Sequence, residues 1–296
     1  MDNRFTVSFK AQRSGQLLRE AISDFGISKR ALTAIKFDGG EILVNNEERN
    51  VRYRLQVDDE ILIKFPREEV SAGLLPQHGM LDILYEDEAL LIVNKPPYKS
   101  TIPSREHPDG SIANYVAGYF ETQYIASTVH IVTRLDRDTS GLMCIAKHSH
   151  IHHLMSMMQR AGAIHREYEA VVHGHVEEQS ILAPIGRKEN SIIEREVRED
   201  GQFAHTDVTI LKQFVKDGEP YSHIRLKLHT GRTHQIRVHM AHIGHPLVGD
   251  ELYGGSRKLI QRQALHCVQI SFNHPLTNQE VIFYSGPESD ISLILK

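Results

Sequence analysis

Arg134-Leu135-Asp136-Arg137-Asp138-Thr139-Ser140-Gly141, running on into Leu142-Met143-Cys144-Ile145-Ala146, decides how the chain is read. A charge-dense loop closed by Thr-Ser-Gly leads directly into an apolar run, and Met143–Ala146 reads as a buried strand. Two carboxylates flanked by two arginines allow three readings. One is a solvated turn whose charges neutralise one another. Another is a nucleophilic or general-base carboxylate kept ionised by neighbouring guanidinium groups. The third is a glycosidase pair, Asp136 and Asp138, sharing one face of an extended segment with backbones roughly 6–7 Å apart. Spacing alone favours the turn.

Outward from this stretch the pattern is mostly strand. Leu81–Val93 reads as two strands around a turn at Glu86-Asp87-Glu88, and Asn94-Lys95-Pro96-Pro97 stops the second because proline supplies no ladder donor. Residues 99–110 read as an exposed loop, and Ile151–Arg160 as a helix ending at Gly162. Tyr168–Val172, Ile224–Leu228 and Gln235–His239 alternate as strands. Toward the N-terminus, Leu17, Leu18, Ala21, Ile22 and Phe25 recur at helical spacing. Ser28 is a natural cap for a second helix ending at Gly39-Gly40, and strands at Glu41–Val44 and Glu60–Phe65 follow. The expected fold is α+β: a mixed, largely antiparallel sheet with flanking helices, preceded by a small α+β unit. The domain reading is 1–66 for the small unit, 67–80 for a linker and 81–296 for the main body.

The 296 residues, 40% hydrophobic and 24% charged, suit a packed two-domain chain and exclude a mainly disordered one. Only two cysteines occur, far apart, so a disulfide scaffold or cysteine zinc site is not expected. The apolar runs are too short to span a membrane, and the N-terminus has no apolar signal core. A cytoplasmic, monomeric protein is the expectation. The formal net charge of −4 argues at first against a nucleic-acid partner. Counted by segment, however, residues 1–66 carry 11 Lys+Arg against 10 Asp+Glu, and residues 25–37 hold Lys29, Arg30 and Lys36 with no acid.

Two more clusters bear on chemistry. Residues 225–249 contain Arg225, Lys227, Arg232 and Arg237 and five histidines, with no acid before Asp250. A metal reading lacks His-Glu-x-x-His and a completing carboxylate, so anionic-ligand binding outranks it and no metal is expected. In His165–Gly174, alternation places Tyr168, Ala170 and Val172 on one face. Tyr168 is either a core aromatic or a platform for stacking a base.

Taken in order, these segments resemble the RluA-type RNA pseudouridine synthases. Arg134-Leu135-Asp136 with Thr139-Ser140-Gly141 is similar to that family's central motif. Asp87-Glu88, Asn94-Lys95-Pro96, Tyr168-x-Ala170 with Gly174, and Thr230-Gly231-Arg232-x-His234-Gln235-x-Arg237-x-His239 follow in the family order. So do Gly244-His245-Pro246, Gly249-Asp250-x-x-Tyr253-Gly254, and Leu265-His266 with His274-Pro275. Residues 1–66 resemble an S4 RNA-binding domain. Thr133 stands where the family usually has histidine, and Arg166 where lysine is common.

The resemblance implies conversion of uridine to pseudouridine within RNA, ribosomal RNA foremost and tRNA as an alternative, with no cofactor. It assigns the essential carboxylate to Asp136, its cationic partner to Arg237 and base stacking to Tyr168. Arg134 is the implied wedge for the vacated base stack. Lys29, Arg30, Lys36, Arg232 and His234 are the further candidate RNA contacts. The competing reading is a catalytically inactive S4-type RNA-binding or ribosome assembly factor, against which Asp136, Tyr168 and Arg237 together argue.

Overall fold

The computed structural model describes residues 3–71, 73–104 and 108–296. Residue 72 of the expected linker and residues 105–107 of the expected 99–110 loop lie outside the described residues. The N-terminal segment comprises β1 (Thr6–Lys10), α1 (Leu18–Asp24), α2 (Lys29–Phe37), β2 (Glu41–Val44), β3 (Glu47–Glu48) and β4 (Glu60–Lys64). Ser28 caps α2, its Oγ accepting from Ala31 N–H at 3.2 Å. The strands form an antiparallel sheet in the order β1-β4-β2-β3. Leu18 and Ile22 of α1 and Ile35 of α2 close over Ile61 and Ile63, giving this segment its own apolar cluster.

The main body follows as β5 (Asp82–Glu86), β6 (Leu90–Lys95), α3 (Ile112–Thr122), β7 (His130–Ile131), β8 (Ser140–Ala146), α4 (Ser149–Arg160), β9 (His165–His173) and β10 (Gln179–Leu182). After these come β11 (Ile185–Arg187), β12 (Arg195–Val197), β13 (His205–Lys216), β14 (Glu219–Leu228), α5 (Gln235–His242), β15 (Leu265–Asn273), β16 (Glu280–Tyr284) and α6 (Ser289–Ile294). The main sheet runs β10-β13-β14-β9-β15-β8-β6-β5, with β16 on β15 and β7 on β8; β11 and β12 make a separate hairpin. Among the described residues only the β15–β8 pair is parallel, so the sheet is mixed and mainly antiparallel, as expected. All seven residues of β8 are buried, which its uninterrupted apolar run requires. At the mouth of β8, Gly141 has φ +113°, and a Cβ there would lie 2.4 Å from Cys267 O. Glycine is therefore what lets β15 approach beside the charged loop.

One expectation fails. Gln235–His239 is not a strand; Gln235–His242 is the helix α5. Residues 235–240 are all buried, so no polar face marks the helix in the sequence and a fortuitous alternation stands in its place. Its polar residues can be interior because they are satisfied: His239 Nδ1 meets Thr206 Oγ1, and its Nε2 meets Ala183 O, each at 2.9 Å.

The two parts touch along α4. Phe5 stacks on His148 at 4.5 Å, and Phe65 on His150 at 5.0 Å, between ring centroids. Just beyond, Glu68 accepts from Ser149 N–H at 2.8 Å and pairs with His130 Nε2 at 2.7 Å. The start of the 67–80 segment is thus anchored to the main body. Among the described residues, no helix is long and apolar enough to cross a membrane.

Candidate active site

The loop before β8 is held from three sides. Lys95, at the end of β6, is fully buried, and its Nζ donates to Pro96 O, Lys99 O and Arg137 O, each at 2.9 Å. Burial pulls its pKa down to about 7, with the fields of Asp138 and Asp136 opposing; three carbonyl acceptors match the three N–H bonds of an ammonium. Thr101 Oγ1 donates to Leu135 O at 2.7 Å. From the far end of the chain, Arg262 donates to Asp138 O at 3.1 Å and grips Asp290 through two bonds of 2.7 Å. Thr139 N–H closes a turn onto Asp136 O at 3.1 Å. The segment is therefore a turn and not an extended strand. Asp138 is taken by Arg137 at 2.9 Å, while Asp136 faces α5, so the two carboxylates are parted.

Asp136 meets its cation across 101 residues of chain: Arg237 Nη1 lies 3.3 Å from Asp136 Oδ2. Arg237 Nε and Nη2 grip both oxygens of Asp250 at 2.7 and 2.8 Å, a bidentate clamp that fixes the plane of the guanidinium. Burial works against its charge, but the bonds from Asp250 and the fields of Asp250 and Asp136 outweigh it and raise its pKa. Tyr253 covers the guanidinium, with Cζ 4.9 Å from the ring centroid.

His234, just before α5, adopts a left-handed backbone at φ 57° and turns inward. Its Nε2 is 3.7 Å from Asp136 Oδ2, and its Nδ1 is 2.9 Å from Tyr253 Oη. Arg195 N–H also donates to that phenol oxygen at 2.9 Å, which fixes the ring of Tyr253 beside His234. Burial and the Arg237 charge lower the pKa of His234 against the pull of Asp136.

A cavity of about 650 Å³ opens onto this group. Five arginines (134, 137, 166, 232 and 237) line it, with Asp136 as the one carboxylate among the lining residues. Tyr168 forms part of its wall and is only 4% exposed; burial pushes its phenol well above the ordinary tyrosine value, Arg166 opposing. Arg134 is exposed at the cavity, and Arg232 is braced by Phe203 O at 2.9 Å and Gln202 Oε1 at 3.1 Å. Lys29, Arg30 and Lys36 are exposed on α2, outside this group. Arg225, counted in the basic segment, is engaged by Glu169 at 2.7 Å instead of facing the cavity. Thr133 is buried and accepts from Cys144 N–H at 2.9 Å, a wholly internal use.

Sequence reasoning gave no role to Asp250, Tyr253, Thr101 or Arg262. Asp250 and Tyr253 stood within a quoted motif, but only the fold shows that both serve Arg237.

Comparison with known proteins agrees on one family. A model described as RNA pseudouridylate synthase matches residues 89–242. The uncharacterized RNA pseudouridine synthase YjbO of Bacillus subtilis is 50% identical over 281 residues, covering 94% of this chain and 98% of that one. The ribosomal large subunit pseudouridine synthase D of Escherichia coli is 37% identical, covering 76% and 73%. Among solved structures, human RNA pseudouridylate synthase domain containing 1 superposes with a TM-score of 0.59 at 25% identity, covering 74% of this chain and 86% of that one.

Proposed function

The chain belongs to the RNA pseudouridylate synthase family, and from that premise we propose that it isomerises a uridine of ribosomal RNA, with Asp136 as the essential carboxylate. The observation that carries this reading is Asp136 itself, the lone carboxylate in a cavity lined by five arginines. The arginines suit a polyanion, and the volume suits one flipped nucleotide. Ribosomal RNA is favoured over tRNA because the relative from Escherichia coli is named for the ribosomal large subunit.

In the reaction the N1–C1′ bond breaks, the uracil turns in place, C5 bonds to C1′, and the C5 proton is lost while N1 gains one. Asp136 acts on the ribose, as nucleophile at C1′ or as base at C2′. Arg237, clamped by Asp250, holds the carboxylate in position. Tyr168 stacks against the detached base; burial keeps its phenol neutral, so it aids proton removal as a hydrogen-bonding group and not as phenolate. His234, with Nε2 3.7 Å from Asp136, helps to position that carboxylate. A uridine in folded RNA must first leave its stack at a cost of a few kcal/mol, and Arg134 fills the gap. Residues 1–66, read as an S4-like domain, contribute Lys29, Arg30 and Lys36 to the RNA grip. The enzyme works as a cytoplasmic monomer without a cofactor.

Asp136→Asn tests the assignment. Tritium release from [5-³H]uridine-labelled RNA should fall by about 10³-fold or more, with RNA affinity nearly unchanged. Turnover within tenfold of the parent enzyme would overturn the role of Asp136. An equally inactive parent enzyme on all RNA would leave an RNA-binding factor in its place.

A further inference from the structure

A second cluster lies beside the cavity and takes no part in the reaction above. On β13, His205 and Asp207 are two residues apart and so share a face; His229 follows the end of β14 on the neighbouring strand. His205 Nε2 is 3.0 Å from Asp207 Oδ1, and His229 Nε2 is 2.6 Å from Asp207 Oδ2. The imidazoles stack at 4.0 Å between centroids with an interplanar angle of 12°. All three ligand atoms lie within 4.8 Å of one another, and the side chains remain 24–38% exposed. We propose that His205, Asp207 and His229 bind a divalent transition-metal ion of the zinc class, in a site separate from the candidate catalytic group.

The donor set is two imidazoles and a carboxylate, which zinc accepts with a water in the fourth position. A tetrahedral ion with bonds of about 2.0–2.1 Å sets its ligands about 3.4 Å apart, so donor atoms now 2.6 to at most 4.8 Å apart must shift by up to about 1.4 Å, which rotation of these partly exposed side chains can supply. Ser180 Oγ bonds to Asp207 Oδ1 and orients the carboxylate, as outer ligands do in metal sites. The signal was hidden in sequence because the completing carboxylate and one histidine come from β13, outside the histidine-rich segment.

Occupancy would be felt in the cavity wall. His205 N–H donates to Thr230 Oγ1 at 3.0 Å, and His229 N–H to His205 O at 3.2 Å. Gln235 Nε2 donates to His205 O at 3.0 Å, while its Oε1 accepts from Thr230 Oγ1 at 2.8 Å and Arg232 N–H at 3.0 Å. An ion tying His205 to His229 therefore clamps both ends of the loop that presents Arg232 and His234. The ion stiffens this loop and is not a reactant.

The test is zinc chloride titrated calorimetrically into the metal-free, full-length protein near pH 7.5, with cobalt(II) absorption as a second probe. One ion per chain should bind in the micromolar range or tighter, and the cobalt spectrum should show four-coordinate d–d bands. The double variant His205→Ala, His229→Ala should lose at least about 100-fold in affinity, and Asp207→Asn about tenfold. In the parent protein, zinc should slow hydrogen exchange at residues 204–207 and 228–235, a readout that does not depend on the variants folding. No stoichiometric binding, unchanged binding by a folded double variant, or protection confined to other histidines would overturn the proposal.

Discussion

At the scale of the residue, Asp136 is held by two unlike neighbours. Arg237 supplies charge at 3.3 Å and is itself fixed by Asp250. His234 brings Nε2 to within 3.7 Å, its ring fixed by the phenol of Tyr253. We therefore expect His234→Gln to lower kcat about 10–100-fold with KM little changed, because an orienting contact is lost while the cavity's arginines remain. Tyr253→Phe should shift kcat in the same direction by less, since the imidazole loses the hydrogen bond at Nδ1 that fixes its ring. Single-turnover rates on RNA check this; parental rates in both variants would remove His234 from the positioning set. The motif around Arg232 and Arg237 makes His234 a candidate RNA contact in the sequence, and its inward turn toward Asp136 comes from the fold.

At the scale of the element, α4 is the surface against which the N-terminal segment rests, and its histidines make the contact sensitive to pH. His150 is buried against Phe65, and among the described residues neither ring nitrogen has a hydrogen-bond partner. Burial lowers the pKa of His150 and of His148 to about 4. Because the folded values lie below the unfolded value of about 6.5, the unfolded chain takes up protons first. Stability is then complete above about pH 6.5 and declines as pH falls toward 4. His150→Phe should flatten that decline and raise the melting temperature at pH 5 by several degrees, since a ring of similar shape replaces an unsatisfied polar one. Calorimetry between pH 5 and 7.5 measures it, and an unchanged pH slope would place the linkage elsewhere. Element type was legible where one face is wet, as in α2 and α4. It failed at α5, whose residues 235–240 are all covered.

At the scale of the whole molecule, a net charge of −4 conceals where the bases lie. The cavity gathers five arginines from separate stretches of chain, and a further group of cations stands exposed on α2. Replacing Lys29 and Arg30 by alanine should weaken RNA binding and reduce the slope of log affinity against log salt by about 1–2. Filter binding over a range of salt concentrations measures this; an unchanged slope would mean that α2 stands clear of the RNA. The sequence by itself singled out Asp136, Tyr168 and Arg237, through motifs in a fixed order, and the strands and helices whose apolar periods are clean. Those signals are local, and periodicity reports only which face of an element is covered. Tertiary structure alone decided that Arg237 sits on a helix, that Asp250 and Tyr253 hold it, that His234 faces Asp136, and that His205 and Asp207 join His229. Each depends on residues distant in the chain becoming neighbours, and a polar group can be buried only where such a neighbour satisfies it.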